Sequence, residues 1–262
     1  TYPEDLTRAN DGSVLVVGPS NWRVRRIQPN GTVSTFAGAG TSGYVDGPKA
    51  QAQFKALYGV AVDSAGNVVV SDAGNFRIRK IGVNGVVSTL AGQGSYGYQD
   101  GPGSSAKFYN PRGLDIDKTG NVFVADTTNR RVRRIDPAGN VTTVAGSGSA
   151  TYSAGSALVA GLGDIYDVAF NKSGALWIVS YSQHRLLQLN KGQVDAVFGA
   201  EPGNQDGFGT NGRLNGPFGL AVHPAGHLAV ADRGNHRIRV VLSGVKLCDD
   251  HKLCTADSCD PK

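Results

Sequence analysis

Short stretches in which apolar and polar residues alternate, separated by turn residues, recur along the chain. The clearest example is residues 113–146, where such stretches occupy 113–117, 121–126, 131–136 and 141–146. The residues between them include glycine, proline, asparagine and threonine, which favour turns. Alternation with a period of two is typical of a β-strand with one buried face. The pattern therefore predicts a four-stranded antiparallel meander in this segment.

The same segment occurs five times. Its leading glycines are 54, 54, 54 and 52 residues apart, and they are Gly12, Gly66, Gly120, Gly174 and Gly226. A lone meander has two exposed faces and two open edges, whereas sheets arranged radially cover one another's faces. We therefore predict an all-β fold, a β-propeller of five four-stranded blades. A ring of six blades, with one blade outside this chain, is the alternative.

The composition agrees with this fold class and disfavours two kinds of protein, those that span a membrane and those that bind nucleic acid. The 37 glycines and 11 prolines suit many short strands joined by tight turns. No apolar run approaches the roughly 18 residues that span a bilayer. Because the chain has no methionine, we expect it to be a processed product or a piece of a longer protein. The net charge of +5 is modest and acidic residues are interspersed, which favours a mixed solvated surface over nucleic-acid binding.

The repeat resembles the NHL-repeat β-propellers. In residues 120–133 the shared pattern is Gly-Asn, three apolar residues, Ala-Asp, and then Asn-x-Arg-apolar-Arg, after a glycine-containing first strand. The resemblance extends from residue 3 to about 247, so we expect a propeller domain over 1–247. It implies a ring that is usually six-bladed in the family, and some members bind RNA. Amidating lyases share the architecture and place histidines around an axial metal.

Three copies carry an aspartate five residues before an arginine, across the turn from the second strand to the third. We predict that each pair forms a structural ion pair bracing this turn; the pairs are Asp72 with Arg77, Asp126 with Arg131, and Asp232 with Arg237. Near-identical residues distributed by repeat do not single out one reaction centre. The first and fourth copies keep the arginine but have Gly18 and Ser180 instead of the acid. Asn21, Asn75, Asn129 and Asn235 lie two residues before four of these arginines, and they are expected to form the turn through left-handed backbone and bonds to nearby main chain.

Two other functions stay open as alternatives. The third strands are rich in arginine, as in 131–134, which could hold RNA phosphates. Alternation divides these charges between two faces of a blade, which disfavours a single basic patch. A metal-dependent lyase or lactonase would need ligands from several blades. The histidines lie mainly in the last copy, as His223, His227 and His236.

Long connectors join consecutive repeats, over 37–57 and 91–111, and exceed the usual loop length. In a meander these connectors and the turns between second and third strands leave from the same end of the ring. Their tyrosines and aspartates either pack between blades with Phe54 and Phe108 or form a ligand surface. The candidate binding residues on this loop-rich face are Tyr44, Asp46, Tyr98, Asp100, Tyr152 and Asp206.

The last fifteen residues, 248–262, differ from the repeats. They resemble a C-D-D-G-x-x-C-T-x-D-x-C-D-P module of large secreted and cell-surface proteins, with His251 in place of the usual glycine. We expect disulfides here, with a partner beyond residue 262; a zinc site is the alternative. The cysteines concerned are Cys248, Cys254 and Cys259. Three glycosylation sequons, beginning at Asn30, Asn140 and Asn171, fall in predicted turns.

Taken together, these patterns favour a non-catalytic extracellular or cell-surface glycoprotein module for adhesion, assembly or matrix functions. The expected partner is a protein or a glycan, or other domains or copies of the same larger protein. No cofactor, metal or nucleic acid is expected, and no direct membrane insertion of this chain. A propeller-type metal-dependent lyase or lactonase and an RNA-binding propeller are the alternatives.

Overall fold

A computed structural model describes residues 2–223 and 225–242, and it contains 22 β-strands in five sheets. The strands are β1 (Asp5–Arg8), β2 (Val14–Val17), β3 (Val24–Ile27), β4 (Val33–Ala37), β5 (Gly47–Pro48), β6 (Leu57–Val62), β7 (Val68–Asp72), β8 (Arg77–Ile81), β9 (Val86–Ala91), β10 (Gly101–Pro102), β11 (Pro111–Ile116), β12 (Val122–Asp126), β13 (Arg131–Ile135), β14 (Asn140–Ala145), β15 (Gly155–Ser156), β16 (Ile165–Phe170), β17 (Leu176–Ser180), β18 (Arg185–Asn190), β19 (Gln193–Phe198), β20 (Pro217–Val222), β21 (Leu228–Asp232) and β22 (Arg237–Val241).

Each sheet is one blade, and its main strands follow one another as an antiparallel meander. The all-β, five-bladed propeller predicted from the repeat is confirmed. Blades 1 to 4 have four main strands; of blade 5, the described residues include β20, β21 and β22. In blades 2, 3 and 4 a two-residue strand from the preceding connector also pairs with the outermost main strand, as β10 does with β14. Each connector is thereby fixed to the outside of the blade that it enters.

Short 3-10 turns occur at Ala73–Asn75, Gly209–Asn211 and Arg233–Asn235. In the described part of the chain, no helix has the length and apolar character needed to cross a membrane.

The first strands β1, β6, β11, β16 and β20 lie side by side around the axis. Two glycines permit their close approach. A Cβ atom on Gly113 would lie 2.7 Å from the Cα atom of Asp167 in the next blade, and one on Gly59 would collide with the carbonyl oxygen of Arg112. Side chains at these positions would force neighbouring blades apart, so the glycines allow the narrow axis.

The hydrophobic core lies between blades rather than within them. One face of a blade packs against the opposite face of the next, and an apolar side chain from the connector is wedged between them. Phe54 and Phe108 fill this position at the first two junctions and are fully buried. Leu162 and Leu214 fill it at the third and fourth junctions. Each blade therefore needs a neighbour to bury its faces.

The left-handed residue of the turn between second and third strands is not the asparagine, contrary to the sequence expectation. It is the next residue, as in Phe76 with φ 54° and Arg130 with φ 54°. The asparagine contributes through its side chain. Asn75 Nδ2 donates to the Gly43 carbonyl at 2.8 Å and to Asp72 Oδ2 at 2.8 Å. The turn is held by these contacts with the connector, which outweigh the steric cost of positive φ.

Candidate functional site

The connectors and the turns between second and third strands share one end of the propeller, which we call the connector face. Asn129 Nδ2 donates to the Gly97 carbonyl at 2.7 Å, and Asn235 Nδ2 donates to the Gly203 carbonyl at 2.7 Å. These bonds repeat the one between Asn75 and Gly43 in blade 2. The geometry agrees with the arrangement predicted from the meander.

A fully buried arginine joins turn, connector and blade at this face. Arg133 donates five hydrogen bonds, which matches the five N–H groups of a guanidinium. Its Nη1 donates to Asp126 Oδ2 at 2.8 Å, and its Nη2 donates to Asp100 Oδ1 at 2.6 Å. The other acceptors are the carbonyls of Gln99 and Lys107 and a second bond to Asp100. We call this arrangement the arginine clamp.

The same clamp recurs in blade 2, where Arg79 Nη1 lies 2.9 Å from Asp72 Oδ2 and also contacts Asp46. In blade 5, Arg239 lies 3.3 Å from Asp232 Oδ2 and contacts Asp206. The predicted partners Arg77, Arg131 and Arg237 are therefore wrong: each aspartate pairs with the arginine two residues later. The two arginines lie on the same strand face, and the second is the one that reaches the buried carboxylate.

The arginine at the predicted position has another role. Arg131 lies over the Tyr98 ring at 4.0 Å and donates to the Ser147 carbonyl at 2.7 Å. Arg23 in blade 1 and Arg185 in blade 4 likewise donate to the connector carbonyls of Ala39 and Gly199. Blades 1 to 4 each provide such a connector carbonyl, which explains why the copies in blades 1 and 4 retain the arginine without the acid.

In blade 4, all three clamp positions carry other residues. Leu187 stands where the clamp arginine lies, Ser180 replaces the turn aspartate, and Ala154 replaces the connector aspartate. Leu187 is fully buried, and Ser180 Oγ donates to the Leu162 carbonyl at 2.5 Å. The blade remains packed because no buried charge is left without a partner.

The tyrosines and aspartates predicted as binding residues hold the connectors. Asp100 Oδ2 accepts a bond from the Thr143 N–H at 3.0 Å, and Tyr98 Oη lies 3.1 Å from Thr143 Oγ1. Tyr44 and Asp46 repeat this pattern on Thr89 in blade 2. Tyr152 Oη accepts the Ala196 N–H at 2.8 Å, and Asp206 contacts Arg239. Each residue thus has an internal partner, while Tyr44 and Tyr98 remain half-exposed.

Two groups of side chains on the connector face were missed by the sequence reasoning. The first, which we call the tyrosine cluster, comprises Phe76, Tyr96 and Tyr109. Tyr96 and Tyr109 have ring centroids 5.1 Å apart, and Phe76 lies edge-on to both. Tyr96 is 64% exposed and Tyr109 38% exposed. The cluster forms an accessible aromatic surface.

The second group, the axial cluster, surrounds the mouth of the axis. The Arg112 guanidinium lies 4.3 Å from the Tyr58 ring centroid, 4.2 Å from that of Tyr166 and 5.6 Å from that of Phe218. Tyr181 stacks on Tyr166 with centroids 4.2 Å apart. The Nε of Arg112 is buried and has no hydrogen-bond partner among the described residues. Cation–π contacts hold the guanidinium in place while leaving this donor unused.

Three carboxylates point to the axis below this cluster. Asp5 Oδ2 accepts the Val60 N–H at 2.8 Å, and Asp167 Oδ2 accepts the Leu220 N–H at 2.8 Å. Asp115 accepts the Phe170 N–H at 2.8 Å. Each carboxylate thereby links its own blade to the next blade. Within residues 2–223 and 225–242, no three acidic, histidine or cysteine side chains are grouped to hold a metal ion.

Burial raises the pKa of two axial carboxylates and of one clamp aspartate. Desolvation raises the pKa of Asp5 to about 7, against the opposing effect of its backbone hydrogen bonds. The pKa of Asp167 is raised well above its usual value, first by burial and then by the nearby Asp5 charge. Burial also raises the pKa of Asp126 to about 6, despite the opposing effect of Arg133.

A cavity of about 380 Å³ opens beside the axis, and its lining includes Glu4, Asp5, Arg112 and Asp167. Burial raises the pKa of Glu4, and Arg112 and Arg233 oppose this shift. One sequence feature indicates the axial cluster. In each of blades 2 to 5, the second residue of the first strand has a large side chain. Those residues are Tyr58, Arg112, Tyr166 and Phe218.

The remaining predicted sites lie away from the connector face or outside the described residues. Asn30 is exposed in the turn after β3, and Asn171 lies in the turn after β16. Asn140 is the exposed first residue of β14 and not a turn residue. Cys248, Cys254 and Cys259 lie outside the described residues, so their disulfides stay a prediction.

Family models match three parts of the chain. A model described as NHL repeat matches residues 59–81 and 214–241, and one described as teneurin NHL domain matches residues 97–197. These matches support the resemblance inferred from the repeat and the propeller architecture.

Curated relatives are similar over different shares of the chain. Human NHL repeat-containing protein 2 is 29% identical over 66% of this chain, and human Teneurin-4 is 24% identical over 91%. SUPPRESSOR OF QUENCHING 1, a chloroplastic protein of Arabidopsis thaliana, is 38% identical over 35% of the chain. The chain covers 28%, 12% and 9% of these three proteins, so it corresponds to one part of each.

Solved structures confirm the architecture. An auxiliary nutrient binding protein from Bacteroides thetaiotaomicron has a TM-score of 0.69 at 12% identity, over 91% of this chain and 58% of its own. Virginiamycin B lyase from Staphylococcus aureus has a TM-score of 0.59 at 16% identity, over 92% and 67%. A gluconolactonase from Xanthomonas campestris has a TM-score of 0.60 at 16% identity, over 88% and 69%. The likeness concerns the fold, which is shared by binding proteins and enzymes.

Proposed function

We propose that this chain is a non-catalytic protein-binding module whose connector face contacts the partner. The observation that carries the proposal is the tyrosine cluster, which presents exposed aromatic rings of Tyr96 and Tyr109 on rigidly held connectors. Tyrosine and arginine are enriched among the residues that dominate binding energy in protein interfaces. Tyr96 and Tyr109 are therefore the candidates for contact with a partner. The residues predicted from the sequence, such as Tyr98 and Asp100, already have internal partners.

Rigidity supports a binding role for this face. The arginine clamps fix the connectors of blades 2, 3 and 5, and the two-residue strands fix those of blades 2, 3 and 4 to the sheets. A surface that is already ordered loses little conformational entropy when a partner binds. The partner is expected to be a protein; a glycan ligand is a separate outcome of the test below.

The axial residues suit a structural role better than catalysis. Each axial carboxylate accepts a backbone N–H from the neighbouring blade, so Asp5, Asp115 and Asp167 serve the junctions between blades. RNA binding is disfavoured because Arg79 and Arg133 are fully buried in clamps, which removes them from any basic surface. A lyase or lactonase function has the similarity to enzymes of this fold in its favour, at 16% identity.

We place the module outside the cell or at the cell surface. The cysteine-rich segment 248–262, the three sequons and the similarity to Teneurin-4 over 91% of the chain support this location. The chloroplastic relative is similar over 35% of the chain. Peptide mapping of the native protein without reduction should find Cys248, Cys254 and Cys259 oxidised. Three free thiols or a zinc site there would contradict the extracellular assignment.

The binding proposal is tested by titrating the fluorescently labelled chain onto a cell-surface fraction prepared from the source organism. The double variant Tyr96→Ala with Tyr109→Ala should bind at least about tenfold more weakly, because truncating central aromatic residues removes more than about 1.4 kcal/mol. Val83→Ala is the matched control, since Val83 is 72% exposed and lies in a turn at the opposite end. Equal binding of both variants would contradict the proposal. Loss of binding after glycosidase treatment of the surface would indicate a glycan ligand instead.

A further inference from the structure

One ring of side chains borders the mouth of the axis, and its members occupy the same position of the repeat. They are Glu4, Tyr58, Arg112, Tyr166 and Phe218. Blades 2, 4 and 5 place an aromatic ring at this position, so its packing does not require a guanidinium. Features that the fold needs recur in several blades, as the arginine clamp does, whereas Arg112 departs from the repeat. The packing of the axis therefore does not account for Arg112.

Arg112 has no anionic partner among the described residues. Its guanidinium donates no hydrogen bond to any of them, whereas Arg133 donates five within its clamp. No carboxylate oxygen of the described residues lies within 4.0 Å of it. The guanidinium lies instead over the rings of Tyr58 and Tyr166, at 4.3 and 4.2 Å from their centroids. Its positive charge is therefore available to an anion from outside the chain.

The two outer nitrogens of Arg112 are the atoms that a ligand can reach. Nε is buried without a partner, whereas Nη1 and Nη2 retain accessible surface on this half-buried side chain. Two parallel N–H groups on these atoms match the spacing of the two oxygens of a carboxylate. Because the rings of Tyr58 and Tyr166 restrict the guanidinium, little conformational entropy is lost when an anion binds to it.

A largely apolar space lies beside this guanidinium. The cavity of about 380 Å³ is lined by Arg112 together with Leu6, Phe218 and Leu220. A Cβ atom on Gly219, also in the lining, would have its nearest neighbours at 3.9 and 4.0 Å, so the wall leaves open space at this point. An apolar cavity of this size with a few convergent polar groups is typical of a site for a small organic molecule.

The acidic residues of the lining restrict the charge of a ligand. Asp5 and Asp167 each accept two backbone N–H groups, so their oxygens are already engaged. Burial raises the pKa of both carboxyls and of Glu4, which lowers their repulsion of an anion. The cost of desolvating an ion rises with the square of its charge, and Arg112 is the one guanidinium in this lining. A singly charged carboxylate therefore suits the cavity better than a doubly charged phosphate.

We propose that Arg112 and the cavity beside it bind a small monocarboxylate with an apolar body. The carboxylate accepts hydrogen bonds from Nη1 and Nη2 of Arg112, and the apolar body lies against Phe218, Leu220 and Leu6. Tyr58 and Tyr166 hold the guanidinium in position for the ligand. This site is separate from the tyrosine cluster, and its ligand is a small molecule and not the protein partner of the connector face.

The test titrates para-fluorophenylacetate onto the 262-residue chain and follows binding by fluorine NMR of the probe. The acid should bind at least about tenfold more tightly than its uncharged amide, which has the same apolar body. Arg112→Tyr introduces the residue that blades 2 and 4 have at this position, and Arg112→Lys keeps the charge without the fork. Both variants should bind the acid at least about tenfold more weakly. Lys118→Gln is the control, because Lys118 is exposed in a turn at the opposite end, and it should bind like the unmodified chain.

Equal binding of the acid and the amide would overturn the proposal, and so would no detectable binding of the acid at its solubility limit. Both results come from the unmodified chain and do not depend on the folding of a variant. Unchanged binding by Arg112→Tyr would also overturn it, as would tighter binding of para-fluorobenzyl phosphate than of the acid. Because the test contains no protein partner, its outcome is independent of the titration with the Tyr96 and Tyr109 variant.

Discussion

Replacing the clamp arginine of blade 3 by leucine should destabilise the propeller strongly, although leucine occupies the same position in blade 4. Asp126 is fully buried and lies 2.8 Å from Arg133 Nη1. In Arg133→Leu the carboxylate keeps its bonds from Asn129 and from the Tyr109 N–H but loses its charge partner. Removing one partner of a buried ion pair destabilises by about 3–5 kcal/mol. We expect a loss of this size.

The triple variant Asp100→Ala, Asp126→Ser, Arg133→Leu reproduces the combination found in blade 4, where Ala154 is exposed and Ser180 and Leu187 are fully buried without an ion pair. It should recover at least about 2 kcal/mol of the loss caused by Arg133→Leu, because coupled neighbours are not additive. Replacing a buried ionic group by apolar residues is often close to neutral.

Urea unfolding of the 262-residue chain, followed by far-UV circular dichroism, measures these free energies. Arg134→Leu is the matched control, because Arg134 lies on the other face of the same strand and is only partly buried. It should change the free energy of unfolding by less than about 1 kcal/mol. The reasoning would be refuted if Arg133→Leu lost less than about 1 kcal/mol, or if the triple variant were as unstable as the single one.

Three further outcomes follow from the axis and the junctions. Burial raises the pKa of Asp5 to about 7 from a usual value of 3.8. Between these two pH values the folded chain retains a proton that the unfolded chain releases. The stability of the fold should therefore decrease as the pH rises from 3.8 to about 7. Asp5→Asn should therefore show a smaller fall in the thermal midpoint between pH 4 and 8, and an unchanged profile would argue against the raised pKa of the Asp5 carboxyl. Gly113→Ala should lower the free energy of unfolding in urea by about 1–3 kcal/mol through overpacking. Gly219→Ala should change it by less than about 1 kcal/mol. Equal effects would refute the difference between these positions. Phe108→Ala should lose about 3–5 kcal/mol in the same assay because the side chain is fully buried between blades, and a loss below about 1 kcal/mol would show that it is not a wedge.

Periodic features of the fold were predictable because they depend on local residue patterns. Alternation placed the strands of blade 3 within about two residues of β11, β12, β13 and β14. The recurrence of the glycines predicted five blades, and the up-and-down order of the meander predicted a shared loop face. These inferences need only strand periodicity, turn chemistry and the burial of exposed faces.

Features that depend on side-chain direction between strands were not predictable. Asp126 and Arg131 are directly opposite each other in the register, yet the carboxylate pairs with Arg133, diagonally placed on the same face. Sequence spacing identifies both arginines as candidates but does not show which one is buried. The axial cluster was missed for a related reason, since Tyr58 and Arg112 belong to different repeats and meet only when the ring forms.

The most direct test of the connector face as the binding surface is hydroxyl-radical footprinting of the native assembly, compared with the purified chain. Modification of Tyr96 and Tyr109 should fall at least about tenfold in the assembly, because interface aromatics become desolvated. Modification of Val83, at the opposite end of the propeller, should not change. Protection of Val83 with Tyr96 and Tyr109 still accessible would contradict the account and move the binding surface to the other end.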